Sequence, residues 1–298
     1  MITQNIQYDQ IIYFDTEFVG QDKTFTDIPN GYIDKSVCGC GLTSIALENN
    51  KDTIIAVPTT YLVDNKVCQY PNNRFKGEVF GVKGGITTGD INKYVERCKR
   101  LGKPIKILVC YDSLMKVEHL LDSCKFVIDE SDQLTKNIGL KLKDKRADID
   151  VYSYLLEQAE KRKDNVSFIS ATPIPVEYLP DWIKGLKQIK FVFSNTIKVT
   201  PMTMKRQYPY KSLQDEIIRP LKTTGAVTIG DRTFSKVIVF INSVENILKV
   251  IKECRLNPDN VAILCGDSTR NDYKIRGYKR IDKPDNLPQY TFITSSGF

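Results

Sequence analysis

Two adjacent carboxylates, Asp129 and Glu130, close the apolar run Lys125-Phe126-Val127-Ile128 and are followed by Ser131 and Asp132. Such a run reads as a strand, and in open α/β sheets ligands collect at the carboxyl ends of strands. There one carboxylate can hold Mg²⁺ through its water shell, and its neighbour can orient and deprotonate a water for attack on a γ-phosphate. An acidic strand-to-loop turn supplies the same residues without chemistry, so their company decides. Upstream lies Lys35-Ser36-Val37-Cys38-Gly39-Cys40-Gly41-Leu42-Thr43-Ser44, opening a helical stretch with Ile45-Ala46-Leu47. Gly39 and Gly41 permit a tight loop whose backbone N–H groups can face phosphates, and the helix start adds positive potential. Cys40, Leu42 and Ser44 belong to the same loop, and Thr43 brings a hydroxyl to the metal, so Thr43 and Asp129 are the expected metal ligands. The spacing fits G-x-G-K-[ST] with Leu42 where the lysine belongs. Lys35, just before the loop, could fold back to supply the missing ammonium, or be an ordinary surface lysine. Downstream, the apolar run Val166–Ile169 ends in Ser170-Ala171-Thr172-Pro173, whose hydroxyls suit a hydrogen-bond relay beside the phosphate site.

Positioning these loops requires a layered scaffold. Near-continuous apolar strands are expected at Thr53–Val57, Glu78–Val82, Ile105–Cys110, Lys125–Asp129 and Val166–Ser170, separated by helices at Thr43–Asn49, Tyr61–Gln69, Gly89–Leu101, Ser113–Ser123 and Asp148–Lys163. Strands without polar alternation, linked by helices, predict a parallel sheet covered on both faces, the α/β class. With 298 residues two domains are expected. The expected organisation is an N-terminal arm (1–30), a domain that would carry the phosphate site and bind ATP (31–175), a connector (176–232) with one helix at Leu213–Leu221, and a second, partial α/β domain (233–298). That second unit is expected to use strands at Val237–Ile241, Val261–Cys265 and Tyr290–Thr294 and a helix at Val244–Cys254. The chain stops just after a strand, as a fragment of a longer protein would.

Composition narrows the class. Hydrophobic residues make up 41% and charged residues 27%, as in a soluble globular chain. The longest apolar runs fall far short of the roughly 20 residues a bilayer crossing needs, and no basic-then-apolar leader follows Met1. A cytoplasmic protein without a membrane partner is expected. The formal net charge of +7 admits a polyanionic partner. Eight cysteines without a C-x-x-C pair read as reduced thiols rather than a zinc site.

Taken together, Gly-x-Gly-x-Thr, Asp-Glu-x-Asp and Ser-Ala-Thr occur in the order found in superfamily-two helicases of the DEAD/DEAH type, which this chain resembles from about Asp34 to its end. It looks closest to divergent helicase-like proteins of tailed bacteriophages. The resemblance implies a RecA-like P-loop domain followed by a partial second one, with ATP and Mg²⁺ as ligands and host cytoplasm as the location if phage-encoded. Nucleic acid is the implied partner, DNA ahead of RNA, bound without sequence preference. Val57-Pro58-Thr59-Thr60 looks like motif Ia and Gly84-Gly85 like motif Ib; Tyr111-Asp112-Ser113 occupies another strand-end loop, and Thr294-Ser295-Ser296-Gly297 resembles the start of motif V. Thr59, Thr60, Gly84, Gly85, Tyr111, Ser113, Thr294 and Ser295 are thereby expected to touch the nucleic-acid backbone, while Asp129, Glu130, Ser170 and Thr172 serve hydrolysis. No motif VI follows Phe298, so the arginine finger is missing and feeble ATPase is expected of this chain alone.

Rival readings exist. A helicase-derived binding or phage-assembly component fits Leu42, and a packaging or restriction motor would share the core. Phe14-Asp15-Thr16-Glu17 resembles the first motif of DEDD exonucleases, but the glycine loop follows too closely to leave room for that sheet. Trp182 and Tyr178 could stack a base or anchor the connector. Lys205-Arg206-Gln207-Tyr208 and the basic run Lys141–Arg146 could meet phosphates or be solvated loops.

Overall fold

Apolar runs buried on both faces must exchange backbone hydrogen bonds with one another, and in the computed structural model of this chain they do so in an eight-stranded sheet and a separate three-stranded one. The structure describes residues 7–70, 79–137, 150–194, 210–265, 275, 277–278 and 287–294. The chain divides into two units, Met1–Lys198 and Val199–Phe298.

In the first unit the strands are β1 (Gln10–Phe14), β2 (Gly31–Asp34), β3 (Thr53–Val57), β4 (Phe80–Val82), β5 (Lys106–Cys110), β6 (Lys125–Asp129), β7 (Val166–Ser170) and β8 (Gln188–Phe193). They lie in the order β1-β8-β2-β7-β6-β3-β5-β4, and every pair is parallel. This is the expected α/β class. Helices α1 (Leu42–Glu48), α2 (Thr60–Gln69), α3 (Thr88–Arg100), α4 (Val151–Glu160) and the short α5 (Asp181–Lys184) complete the unit. Alternate residues of β3 serve opposite faces: Ile54 and Ala56 join one core, Ile55 and Val57 the other. Helix starts are locally encoded. Thr59 accepts from Leu62 N to begin α2, and Thr87 and Asp90 form a reciprocal capping box on α3.

The structure redraws the expected boundaries. Residues 10–14, read as part of an N-terminal strand or arm, form an edge strand, and its partner β8 comes from the expected connector, where Ile189–Phe193 reads as a short strand. The cause is an aromatic cluster: Phe14 lies 5.3 Å from Phe25, 5.2 Å from Phe191 and 5.1 Å from Phe193, ring centre to ring centre. Trp182 anchors the same segment by packing 5.8 Å from Phe168, whereas Tyr178 is exposed. The stretch read as an α-helix at Ser113–Ser123 is a 3₁₀ run over Tyr111–Leu120. Its buried apolar residues Tyr111, Leu114, Val117 and Leu120 fall at every third position, the period at which a 3₁₀ helix superposes side chains.

The second unit contains α6 (Lys211–Leu213), a π turn at Gln214–Ile218, α7 (Arg219–Thr224), β9 (Val227–Ile229), β10 (Arg232–Phe234), β11 (Val237–Phe240), α8 (Val244–Glu253), β12 (Val261–Leu264) and β13 (Tyr290–Ile293). The expected helix at 213–221 is thus longer and carries a π turn just before Pro220, which has no N–H to complete an α-helical ladder. Strands β11, β13 and β12 form a parallel sheet in that order. The antiparallel β9–β10 hairpin is unanticipated, although Ile229-Gly230-Asp231-Arg232 carries its signal: Gly230, first of two turn residues, has φ 64°.

Candidate active site

The sheet order explains why three distant segments meet. β7 lies between β2 and β6, so the tips of these three strands stand side by side at one end of the sheet. From β2 the chain enters the glycine loop, where Gly39 has φ 74° and Gly41, the N-cap of α1, has φ 85°. Both are left-handed conformations that a side chain disfavours. Ser36 takes φ 56° without being glycine. Its N–H donates to Asp34 Oδ1 at 2.8 Å and its hydroxyl to the Phe191 carbonyl at 2.6 Å, which holds the strained turn in place. At the far end of α1, the buried Lys106 Nζ donates to the Ala46 carbonyl and to Asn49 Oδ1, each at 2.6 Å. A cation on the last carbonyls of a helix is favourable, and this one fixes the helix that carries the loop. Burial lowers its pKa to about 8.

Thr43 and Asp129 meet as anticipated, with Thr43 Oγ1 donating to Asp129 Oδ2 at 2.6 Å. Lys35 is no surface residue. It is 5% exposed, and its Nζ lies 2.7 Å from Glu130 Oε1 and 3.2 Å from Asp129 Oδ1. Burial opposes its charge, yet the two carboxylates outweigh that penalty and hold the ammonium above the usual lysine range. Leu42, at the position the lysine would take, is buried in the apolar core beside β2 and β3. Glu130 has φ 55°, a left-handed conformation secured by its N–H on Asp129 Oδ1 at 3.0 Å and by its carbonyl, which accepts from Gln133 N at 2.8 Å. Of the hydroxyls in Ser-Ala-Thr, that of Ser170 meets the acidic segment: Ser170 Oγ donates to Asp132 Oδ1 at 2.7 Å and accepts from the backbone N–H of Thr172 at 3.0 Å.

These groups border a cavity of about 280 Å³, lined by Lys35, Gly39, Cys40, Gly41, Leu42, Thr43, Ser44, Asp129 and Glu130. Burial pushes the Cys40 thiol pKa up, so it faces the cavity protonated. Phe18, Leu62 and Lys66 also line it and were not singled out from the sequence. Leu62 and Lys66 are four apart on α2, and that one-face spacing was available once the strand-to-helix turn at Thr59 had been recognised.

The expected nucleic-acid contacts separate into two groups. Thr59 and Thr60, at the start of α2, and Gly84 and Gly85, in the turn after β4, are exposed. Tyr111 and Ser113 are not: they are 1% and 3% exposed. The Tyr111 hydroxyl points inward and donates to the Asp129 carbonyl at 2.6 Å, so it positions the acidic strand end instead of meeting solvent. Thr294 is also buried, its N–H donating to the Leu264 carbonyl at 3.0 Å in the second unit. Ser295, Lys141–Arg146 and Lys205–Tyr208 lie outside the described residues. Among the described residues no helix is long and apolar enough to cross a membrane.

No protein-family model matches this chain, and no curated protein matches it in sequence. Solved helicase structures are similar to it in fold. A DEAD box protein from the hyperthermophile Methanococcus jannaschii is 15% identical, with 89% of this chain and 69% of that chain covered and a TM-score of 0.44. Saccharomyces cerevisiae dbp5, solved with nup159, gle1, IP6 and ADP, is 14% identical over 90% of this chain and 68% of its own, with a TM-score of 0.47. The Hef helicase domain of Pyrococcus furiosus is 13% identical over 90% and 83%, with a TM-score of 0.40.

Proposed function

We infer that this chain carries the ATP-binding domain of a nucleic-acid helicase or translocase that hydrolyses ATP with Mg²⁺ and acts on DNA ahead of RNA. The observation that carries the reading is the buried Lys35 ammonium held between Asp129 and Glu130 at the mouth of the glycine loop. It returns to the pocket the charge that Leu42 removes.

The residues present fit a magnesium-bound triphosphate. Two hard oxygen donors, Thr43 Oγ1 and Asp129 Oδ2, converge within 2.6 Å, beside a loop whose glycines leave its backbone open. Thr43 and Asp129 would hold Mg²⁺, which when bound neutralises charge on the phosphate oxygens. Backbone N–H groups around Gly39 and Gly41 would receive those oxygens. Lys35 would leave Glu130 for the phosphates, freeing Glu130 to take the proton of the attacking water. Ser170, through Asp132, would keep the β7 tip in register with the acidic strand end. Thr59, Thr60, Gly84 and Gly85 would contact the nucleic-acid backbone, giving sequence-independent, salt-sensitive binding.

Glu130→Gln tests this reading: ATP binding should persist, while hydrolysis with and without single-stranded DNA should fall by about 10²-fold or more. Hydrolysis equal to that of the unaltered chain removes Glu130 from the role. The burial of Leu42 favours a second reading, a helicase-derived binding component without turnover. Under it neither form hydrolyses ATP and both bind nucleic acid alike.

A further inference from the structure

We propose that the first half of the 3₁₀ segment Tyr111–Leu120, from Tyr111 to Lys116, is a rigid strut between the Gly84–Gly85 turn and the backbone of Asp129 and Glu130, with Tyr111 and Lys116 as the positioning residues at the two ends of that stretch. The inference rests on the ATPase reading above and assigns a physical route by which nucleic acid on the turn reaches the hydrolytic carboxylates.

Three observations converge on it. Ten residues is long for a 3₁₀ run, which rarely exceeds three or four residues. This one is locked along its length by Tyr111, Leu114, Val117 and Leu120 in the core. At one end, the Tyr111 hydroxyl reaches two successive carbonyls, Asp129 O at 2.6 Å and Glu130 O at 3.3 Å. These flank the left-handed backbone that aims the Glu130 side chain. At the other end, Lys116 Nζ donates to the Lys83 carbonyl at 3.0 Å and the Ile86 carbonyl at 2.8 Å, bracketing Gly84 and Gly85 from beneath. The turn's outer face is open: a side chain built at either glycine would meet nothing within 4 Å. Lys83 also reaches α2, its Nζ lying 2.5 and 2.6 Å from the two carboxylate oxygens of Asp64. A packed element fixed at both ends transmits displacement instead of absorbing it.

Two variants of the full chain, Lys116→Met and Tyr111→Phe, test the strut. Lys116→Met should keep basal hydrolysis and ATP affinity but lose stimulation by single-stranded DNA about tenfold, with Lys116→Arg restoring it. Tyr111→Phe should lower kcat about tenfold at unchanged KM for ATP, a split that general loosening of the fold does not give. A readout independent of turnover is hydrogen exchange at amides 129–133, which DNA should alter in the unmodified chain and leave unaltered in Lys116→Met. Stimulation of Lys116→Met equal to that of the parent overturns the strut and leaves the ATPase reading intact. An exchange response abolished by Lys116→Met, in a chain that never hydrolyses ATP, sinks the ATPase reading and keeps the strut. If DNA neither stimulates hydrolysis nor alters exchange in the parent chain, the strut has nothing to transmit and the proposal fails.

Discussion

Replacing Lys35 by methionine probes the pocket directly, because it keeps an unbranched apolar stem of four atoms and removes the ammonium. Two consequences can be sized from the geometry. The first is on stability: Asp129 is 8% exposed and loses its cation, and breaking a buried pair by removing one partner costs about 3–5 kcal/mol. The Glu130 side chain is 30% exposed and better able to recruit water, which places the expected loss near the lower end of that range, about 3 kcal/mol. The second is on ligand affinity: a hydrogen bond between an ammonium and a phosphate contributes about 1.5–3 kcal/mol, so ATP should bind about 10- to 150-fold more weakly. Urea unfolding measures the first quantity and titration with a fluorescent ATP analogue in excess Mg²⁺ the second. Adding Asp129→Asn to Lys35→Met should recover part of the stability but none of the affinity, since the amide needs no counter-ion yet offers the metal only a neutral, weaker oxygen ligand. A folded Lys35→Met protein that binds the nucleotide within about twofold of its parent would refute the assignment of Lys35 to the phosphates.

Two further expectations concern the scaffold. Lys106 titrates near 8 when folded and near its ordinary 10.5 when unfolded, so between those values the unfolded chain holds the extra proton and stability rises with pH. One such group should add about 2 kcal/mol between about pH 7.5 and about pH 9.5, with Lys125, lowered by burial to about 8 as well, acting in the same sense. Urea midpoints at the two pH values should show Lys106→Met with a visibly shallower rise, and parallel slopes would contradict the account. Gly31→Ala should destabilise by about 3 kcal/mol or more, because the added carbon would lie 2.3 Å from the Lys187 carbonyl at φ 138°. A thermal midpoint close to that of the parent would show that β2 and the chain before β8 can part without penalty.

What the sequence made legible follows from physical range. Strands β3, β5, β6 and β7 could be read because burial on both faces leaves a continuous apolar run, a local signature. The loop from Gly39 to Thr43, the Asp129-Glu130 pair and the Ser170 hydroxyl could be singled out as candidates for a similar reason, their types and order being specific. Lys35 was readable only as a candidate, because nothing in a one-dimensional chain says which way a side chain folds. The pairing of β1 with β8 depends on Phe14 meeting Phe191 and Phe193 across most of the unit, and no local pattern encodes it. Tyr111 and Ser113 were misplaced because loops at strand ends are ordinarily exposed, whereas this one turns inward to bond the Asp129 carbonyl. The helix expected at 113–123 failed on period, since apolar spacings of three and four are hard to tell apart over ten residues.

The β1–β8 pairing also has a bearing on how the chain comes into being. Asp9 accepts from Gln188 N across 179 positions of sequence, so on a ribosome the first strand emerges long before the one it must lie against. At ordinary elongation speeds that interval is roughly 10 to 35 seconds, during which Ile12 and Phe14, the core-facing residues of β1, have no partner strand to pack beside. A nascent chain of this design has reason to need a chaperone, or a temporary resting place for its leading strand, until residue 193 is free of the exit tunnel.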